Sequence, residues 1–268
     1  MALIYEKEGH IAKVGLYRPE QKNALDPGIL FELHGAWKDI NEDSTIRVAV
    51  LYSALPDIFC AGMDLKSAVP ILTRIREPET EAEKWLFDGF GSGVGQAMLK
   101  LSFVKKPVIA AIHGYCLTGG FEMVMGADLR VASLDAVFQM REASLGIMPF
   151  GGGNVFLPRI ISSCRALEIL LTADNYDAKT LYAWGFLNRV VPKEELMPTA
   201  MGLAEKIANN GPLATQGIIR CARAIRDMEL NAAFMKEVEI GAPIFASEDA
   251  REGVRAQKEK RKPNFPGR

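Results

Sequence analysis

Apolar and polar positions change their rhythm along the chain, and that rhythm divides it into elements. Residues Ile11–Leu16 and 47–52 (RVAVLY) are β-branched runs of strand length, while Leu30, Leu33 and Trp37 recur at helical spacing within 26–40. Asp26 followed by Pro27 supplies an N-cap and a proline for the first turn of that helix. Residues 107–112 (PVIAAI) are continuously apolar, as a strand covered on both faces requires, and Val131 and 136–139 predict two further short strands. Alternating strands and helices predict an α/β core. From Leu196 the strand-like runs stop and three helical stretches follow. Asn209-Asn210-Gly211-Pro212 separates the first two; Ala214, Ile218, Ala222 and Ile225 line one face of the second, and the third passes through Phe234 and Val238. Residues 65–84, rich in charge and containing Pro70 and Pro78, predict a mobile excursion between core elements.

Composition narrows the class. The 268 residues are 49% hydrophobic and 24% charged, which excludes a disordered chain and a coiled coil. A formal charge of -1 gives no overall field to draw nucleic acid or an anionic membrane, so neither is an expected partner. Cys60, Cys116, Cys164 and Cys221 form no CxxC pair, and His10, His34 and His113 are scattered, so neither disulfide nor metal site is expected. The apolar stretch 107–125 is broken by His113, Gly114, Gly119, Gly120 and Glu122, and the start MALIYEKEGH lacks a signal or transit pattern. A soluble, reduced, cytoplasmic protein is the expectation.

Three segments carry candidate chemistry. In PVIAAIHGYCLTGGFEMVMGAD a buried strand passes through Gly119-Gly120 into a helix bearing Glu122, so a turn rich in free N–H groups adjoins a carboxylate in apolar surroundings. Tight helix–strand packing would also account for the glycines. Desolvation predicts a raised pKa and a proton-transfer role for Glu122, against the plainer alternative of a salt bridge to Arg130. In SALPDIFCAGMDLK, Gly62 turns the chain after a strand, so the Met63 N–H is a candidate donor into a cleft. In VFQMREASLGIMPFGGG, Glu142 follows a strand, with a solvated pair to Arg141 as its alternative. Gly151-Gly152-Gly153 has the look of a phosphate cradle without the Lys-Ser/Thr ending of a P-loop, and no GxGxxG pattern supports a dinucleotide fold.

The succession FCAGMDLK, HGYCLTGGFEMVMGADLRVAS and AVFQMREASLGIMPFGGG resembles the enoyl-CoA hydratase/isomerase (crotonase) superfamily. The resemblance extends from RPEQKNAL through LAEKIANNGPLA to SEDAREGVRAQKEKRKPNF, essentially the whole chain. It implies an α/β crotonase fold of turned ββα units: an acyl-CoA-binding core over 1–197 and a helical C-terminal subdomain over 198–268 that mediates a homotrimer or a hexamer of two trimers. It also implies that the N–H groups of Met63 and Gly119 hold the thioester oxygen of an acyl-CoA. Such donors suit an enolate, whose charge concentrates on that oxygen. In the family's hydratases two glutamates flank the double bond, and Glu122 and Glu142 match them. One serves as base on water and the other as acid toward C2, sharing one proton.

Hydration of a 2-enoyl-CoA is therefore the favoured activity, with no cofactor beyond the coenzyme A of the substrate. Isomerisation, dehydration or carbon–carbon hydrolysis of another acyl-CoA are rivals, and RNA binding is disfavoured by the neutral charge. For the coenzyme, the resemblance points to the backbone of Ala61, Asp64 and Leu65, with Lys22 and Lys66 near the phosphates. The basic run Arg251, Arg255, Lys258, Lys260, Arg261, Lys262 and Arg268 reads as a solvated tail or subunit contact, or as a phosphate contact. The chain departs from the family pattern at Thr118, where many hydratases have a third glycine, and at Phe150, where glycine commonly follows the proline. The segment 65–103 is also longer than in short-chain hydratases, and its Trp85, Phe87 and Phe90 read as helix packing.

Overall fold

The computed structural model describes residues 2–89, 93–100 and 103–268, so Phe90 lies outside the described residues. The strands are β1 (Leu3–Glu8), β2 (Ile11–Leu16), β3 (Val48–Ser53), β4 (Ile58–Cys60), β5 (Val108–Ile112), β6 (Tyr115–Leu117), β7 (Leu129–Ser133), β8 (Val137–Gln139), β9 (Tyr176–Asp177) and β10 (Arg189–Val191). They form a six-stranded sheet of order β1-β2-β3-β5-β7-β10 and a four-stranded sheet of order β4-β6-β8-β9. Only the outer pairs β1/β2 and β8/β9 are antiparallel. The strands β3, β5 and β7 belong to the large sheet, and each turns directly into a strand of the small one, β4, β6 and β8. This repeated corner is the turned ββα unit that the resemblance implies.

The apolar strands alternate between two packed faces. Ala49 and Leu51 of β3, with Val108, Ala110 and Ile112 of β5, enter the main core; Val48, Val50, Ile109 and Ala111 enter a second core on the opposite face. An unbroken apolar run is the consequence of covering both sides.

Helix α1 (Pro27–Glu42) starts where the cap predicts, with Asp26 accepting the Ile29 N–H, and buries Leu30, Leu33 and Trp37. The segment 65–84, expected as an excursion between core elements, holds α2 (Ala68–Leu72) and the start of α3 (Glu81–Asp88), and α4 (Gly93–Ala97) follows beyond it. A capping box between Thr80 and Glu83 starts α3, and the Trp85 ring lies 5.6 Å from Phe31 of α1, edge on. Pro70 lies in the first turn of α2 and Pro78 in the connection before α3. The chain continues through α5 (Gly119–Met125), α6 (Gly153–Ile160), α7 (Ser163–Thr172) and α8 (Ala178–Ala183).

Four helices end the chain where three stretches were expected: α9 (Leu196–Ala208), α10 (Pro212–Ala224), α11 (Leu230–Phe245) and α12 (Glu248–Glu259). The last is so polar that it has little apolar rhythm to read. Residue 198 falls inside α9, whose Ala200, Ala204 and Ala208 recur every four residues and form the second core against the sheet. The following helices α10 and α11 pack on each other. The face predicted for α10 is corrected: Ile218 is 66% exposed, and contact with α11 runs through Gly217 against Ile240 and Ile244. Spacing identifies an apolar face but not its partner. Among the described residues no helix is long and apolar enough to cross a membrane, and no cluster of three His, Cys, Asp or Glu could hold a metal ion.

Candidate active site

Two strand-to-loop turns meet at the top of the small sheet. In the first, after β4, residue 63 pairs in parallel with Leu25: Leu25 N–H donates to Gly62 O at 2.7 Å and Asp64 N–H to Leu25 O at 3.0 Å. This ladder uses the groups on either side of Met63 and leaves the Met63 N–H without an acceptor among the described residues. In the second turn Gly119 opens α5, so its N–H precedes the helical hydrogen-bond ladder. A Cβ added to Gly119 would lie 3.3 Å from Met63 N, which brings the two candidate donors side by side. Thr118 adopts φ +45°, a conformation that a β-branched residue rarely holds, with its hydroxyl pressed against Gly62. The neighbouring structure must therefore over-determine this turn.

Residues that sequence reasoning passed over hold the first turn in place. Arg18 donates to Asp64 Oδ2 at 2.7 Å and to Ala24 O at 2.8 Å, and pairs with Asp26 at 3.0 Å. Buried Asn23 donates to Ser53 Oγ and to Phe59 O at 2.8 and 3.0 Å and accepts the Arg18 N–H at 2.7 Å. Burial raises the Asp64 carboxyl, yet hydrogen bonds from Arg18, Lys66 and Ser67 prevail and hold it below its ordinary value. Arg18 and Asn23, five positions apart in RPEQKNAL, were the available signal.

Glu122 is 3% exposed on α5. Its Oε1 accepts the Gly153 N–H at 2.8 Å. Burial pushes its carboxyl up to about 7, opposed by that hydrogen bond and assisted by the charge of Glu142. The Arg130 alternative fails, because that guanidinium donates to Phe186 O at 2.8 Å and Ala127 O at 2.6 Å and stacks on the Phe186 ring. The triple glycine is likewise not a phosphate cradle: the start of α6 is aimed at Glu122. A Cβ on Gly151 would collide with Glu122 Oε2, so the loop needs glycine to approach this closely.

Glu142 opens a short 3-10 turn and is 8% exposed. Burial raises its pKa, and its Oε2 is buried with no hydrogen-bond partner among the described residues. No ion pair to Arg141 forms, which overturns the solvated-pair alternative; Arg141 itself is exposed. Both glutamates, Met63 and Thr118 line one cavity of about 240 Å³, otherwise walled largely by aliphatic and methionine side chains, with Lys100 and Phe150 at its border.

The expected coenzyme contacts are narrowed. The Ala61 N–H donates to Lys22 O at 3.1 Å and the Asp64 N–H to Leu25 O, while Asp64 O accepts the Ala68 and Val69 N–H groups at 3.0 and 3.1 Å, so of these backbone groups the Ala61 carbonyl alone is left without a partner among the described residues. Leu65 is exposed at the cavity edge, and Lys22 and Lys66 are exposed.

Two sheets joined by a corner at each ββα unit, and one largely apolar cavity that brings the unspent Met63 N–H together with two buried carboxylates, make the arrangement of an enzyme site. The enoyl-CoA hydratase/isomerase family model matches residues 6–268, and the chain belongs to that superfamily, the crotonases, in which hydro-lyase chemistry is supported at the level of the family. Over 266 residues it is 38% identical to enoyl-CoA hydratase EchA19 of Mycobacterium tuberculosis, covering 99% of this chain and 96% of the relative. It is 34% identical over 272 residues to carnitinyl-CoA dehydratase of Citrobacter koseri, covering 100% and 99%. The crystal structure of enoyl-CoA hydratase from Bacillus anthracis superposes with a TM-score of 0.90 at 31% identity, covering 100% of both chains.

Proposed function

We propose that this enzyme adds water across the C2–C3 double bond of a 2-enoyl-CoA to give a 3-hydroxyacyl-CoA, with no cofactor beyond the coenzyme A of the substrate. The observation that carries the reading is the pair of buried carboxylates, Glu122 and Glu142, both raised by burial and both facing one cavity. Two such groups share one proton at neutral pH, which provides an acid and a base together. The ionised carboxylate takes a proton from water as its oxygen bonds to C3. The π pair moves onto the thioester, and the enolate oxygen is held by the N–H groups of Met63 and Gly119. C2 then takes the proton of the other carboxyl, so water has been added and the pair again holds one proton. Run backwards, the same steps dehydrate a 3-hydroxyacyl-CoA.

Each preorganised donor of this kind contributes about 2.7–4 kcal/mol to transition-state stabilisation. A homotrimer, or a hexamer of trimers, is the assembly we favour, supported by exposed Phe234, Val238 and Phe245 on α11. The test is the loss of enoyl-thioester absorbance when the protein meets crotonyl-CoA and longer 2-enoyl-CoA thioesters. Turnover that forms 3-hydroxyacyl-CoA is the expected result; absence of product across the series would overturn the assignment.

A further inference from the structure

The acyl cavity carries one charge that the hydration chemistry does not use. Among its described lining residues Lys100 is the cation, and it reaches the cavity beside Phe150 and Gly151, on the Glu122 side. Glu122 lies one helical turn along α5 from Gly119, and Lys100 meets the cavity on that carboxylate side. Its ammonium donates to Phe150 O at 2.8 Å and sits 5.5 Å from the centroid of the Phe150 ring. An ammonium has three N–H donors, so two remain, and Lys100 forms no ion pair among the described residues. The same residue lines a second cavity of about 150 Å³ behind the first, whose other charged members are Arg130, Arg223, Arg226 and Asp128. Asp128 is already held by Arg223 at 2.7 and 2.9 Å, so the field behind Lys100 is positive.

We propose that Lys100 selects acyl-CoA substrates whose acyl group carries a second, free carboxylate at the end remote from the thioester. The inference rests on the cavity being the acyl end of the site described above. Glu122 lies within electrostatic reach of the ammonium but spends its Oε1 on the Gly153 N–H, so a neutral alkyl end would leave two of the ammonium's donors without a protein acceptor. A cationic end would be repelled, and the wall offers no aromatic cage to receive it. A carboxylate completes the ammonium's hydrogen bonds, and apolar surroundings weaken the screening between the two charges.

The experiment compares matched pairs of substrates, glutaconyl-CoA with 2-pentenoyl-CoA and 2-hexenedioyl-CoA with 2-hexenoyl-CoA, in the wild type and in Lys100→Met and Lys100→Arg. The ratio of kcat/KM within a pair is the readout, because any effect of the substitution on Glu122 or on the 149–153 loop acts on both members and cancels. The expected result is a preference of about tenfold or more for the dicarboxylic member in at least one pair, abolished in Lys100→Met and largely kept in Lys100→Arg. A wild type favouring the neutral member in both pairs, or a ratio unchanged by Lys100→Met, would overturn the proposal. Calorimetric binding of glutaryl-CoA against pentanoyl-CoA reads the same preference without turnover. A Lys100-dependent preference in a protein that hydrates nothing upholds this inference while removing the hydratase reading; hydration of crotonyl-CoA with no preference in either assay does the reverse.

Discussion

The Gly153 N–H meets Glu122 Oε1 at 2.8 Å, so the positive end of α6 is spent on a carboxylate buried in the wall of the cavity. One hydrogen bond does not offset the desolvation of that carboxylate, and its pKa stays near 7. The geometry therefore holds the proton where it can be both given and taken at neutral pH.

Replacing either carboxylate should expose the pair. Glu122→Gln and Glu142→Gln should each lower turnover by about 10²-fold or more, with the double variant little worse than the slower single one, since the groups act as a unit. Steady-state kinetics on folded variants checks this. Near-native turnover in either single variant would remove that glutamate from the mechanism.

The same carboxylate sets a pH dependence of stability. A carboxyl raised from 4.5 to about 7 binds its proton more tightly in the folded chain than in the unfolded one. That stabilisation is complete below the unfolded pKa and is lost as pH rises through about 7; Glu142, also raised, acts in the same direction. The shift of Glu122 corresponds to a loss of about 3 kcal/mol by the alkaline side. Glu122→Gln carries no charge at any pH, so its melting temperature should fall less than that of the wild type between pH 5 and pH 9. Parallel melting curves for the two proteins would contradict the raised pKa.

Met63 is predicted to act through its backbone. Met63→Pro removes the N–H and should be far more damaging than Met63→Ala, which keeps it. The comparison needs circular dichroism on both variants and kcat/KM for a 2-enoyl-CoA, and equal losses would assign Met63 to packing.

Gly151 tests the closeness of the glycine loop. A methyl group there meets the Glu122 carboxylate, so Gly151→Ala should displace either the loop or the acid and lower kcat by about tenfold or more, with a smaller effect on KM. A variant with unaltered kcat would show that the loop yields without moving Glu122.

Much of the molecule could be read from local pattern. The unbroken apolar run of 107–112 announced a strand covered on both faces, Asp26-Pro27 announced a helix start, and the successive motifs around Met63, Gly119, Glu122 and Glu142 announced the superfamily. These features depend on neighbours a few positions away, where spacing, capping and backbone sterics act directly. Tertiary structure alone decided which groups remained unpaired. It placed Arg130 under Phe186 instead of beside Glu122, turned the glycine loop onto that carboxylate from 31 residues away, and brought Lys100 to the same cavity through Phe150, 50 residues distant in sequence. It also left the Met63 N–H and Glu142 Oε2 without acceptor or donor among the described residues. A side chain's type shows what it is able to bind, but burial and the competition among packed elements determine whether that capacity is satisfied inside the fold or left facing the cavity.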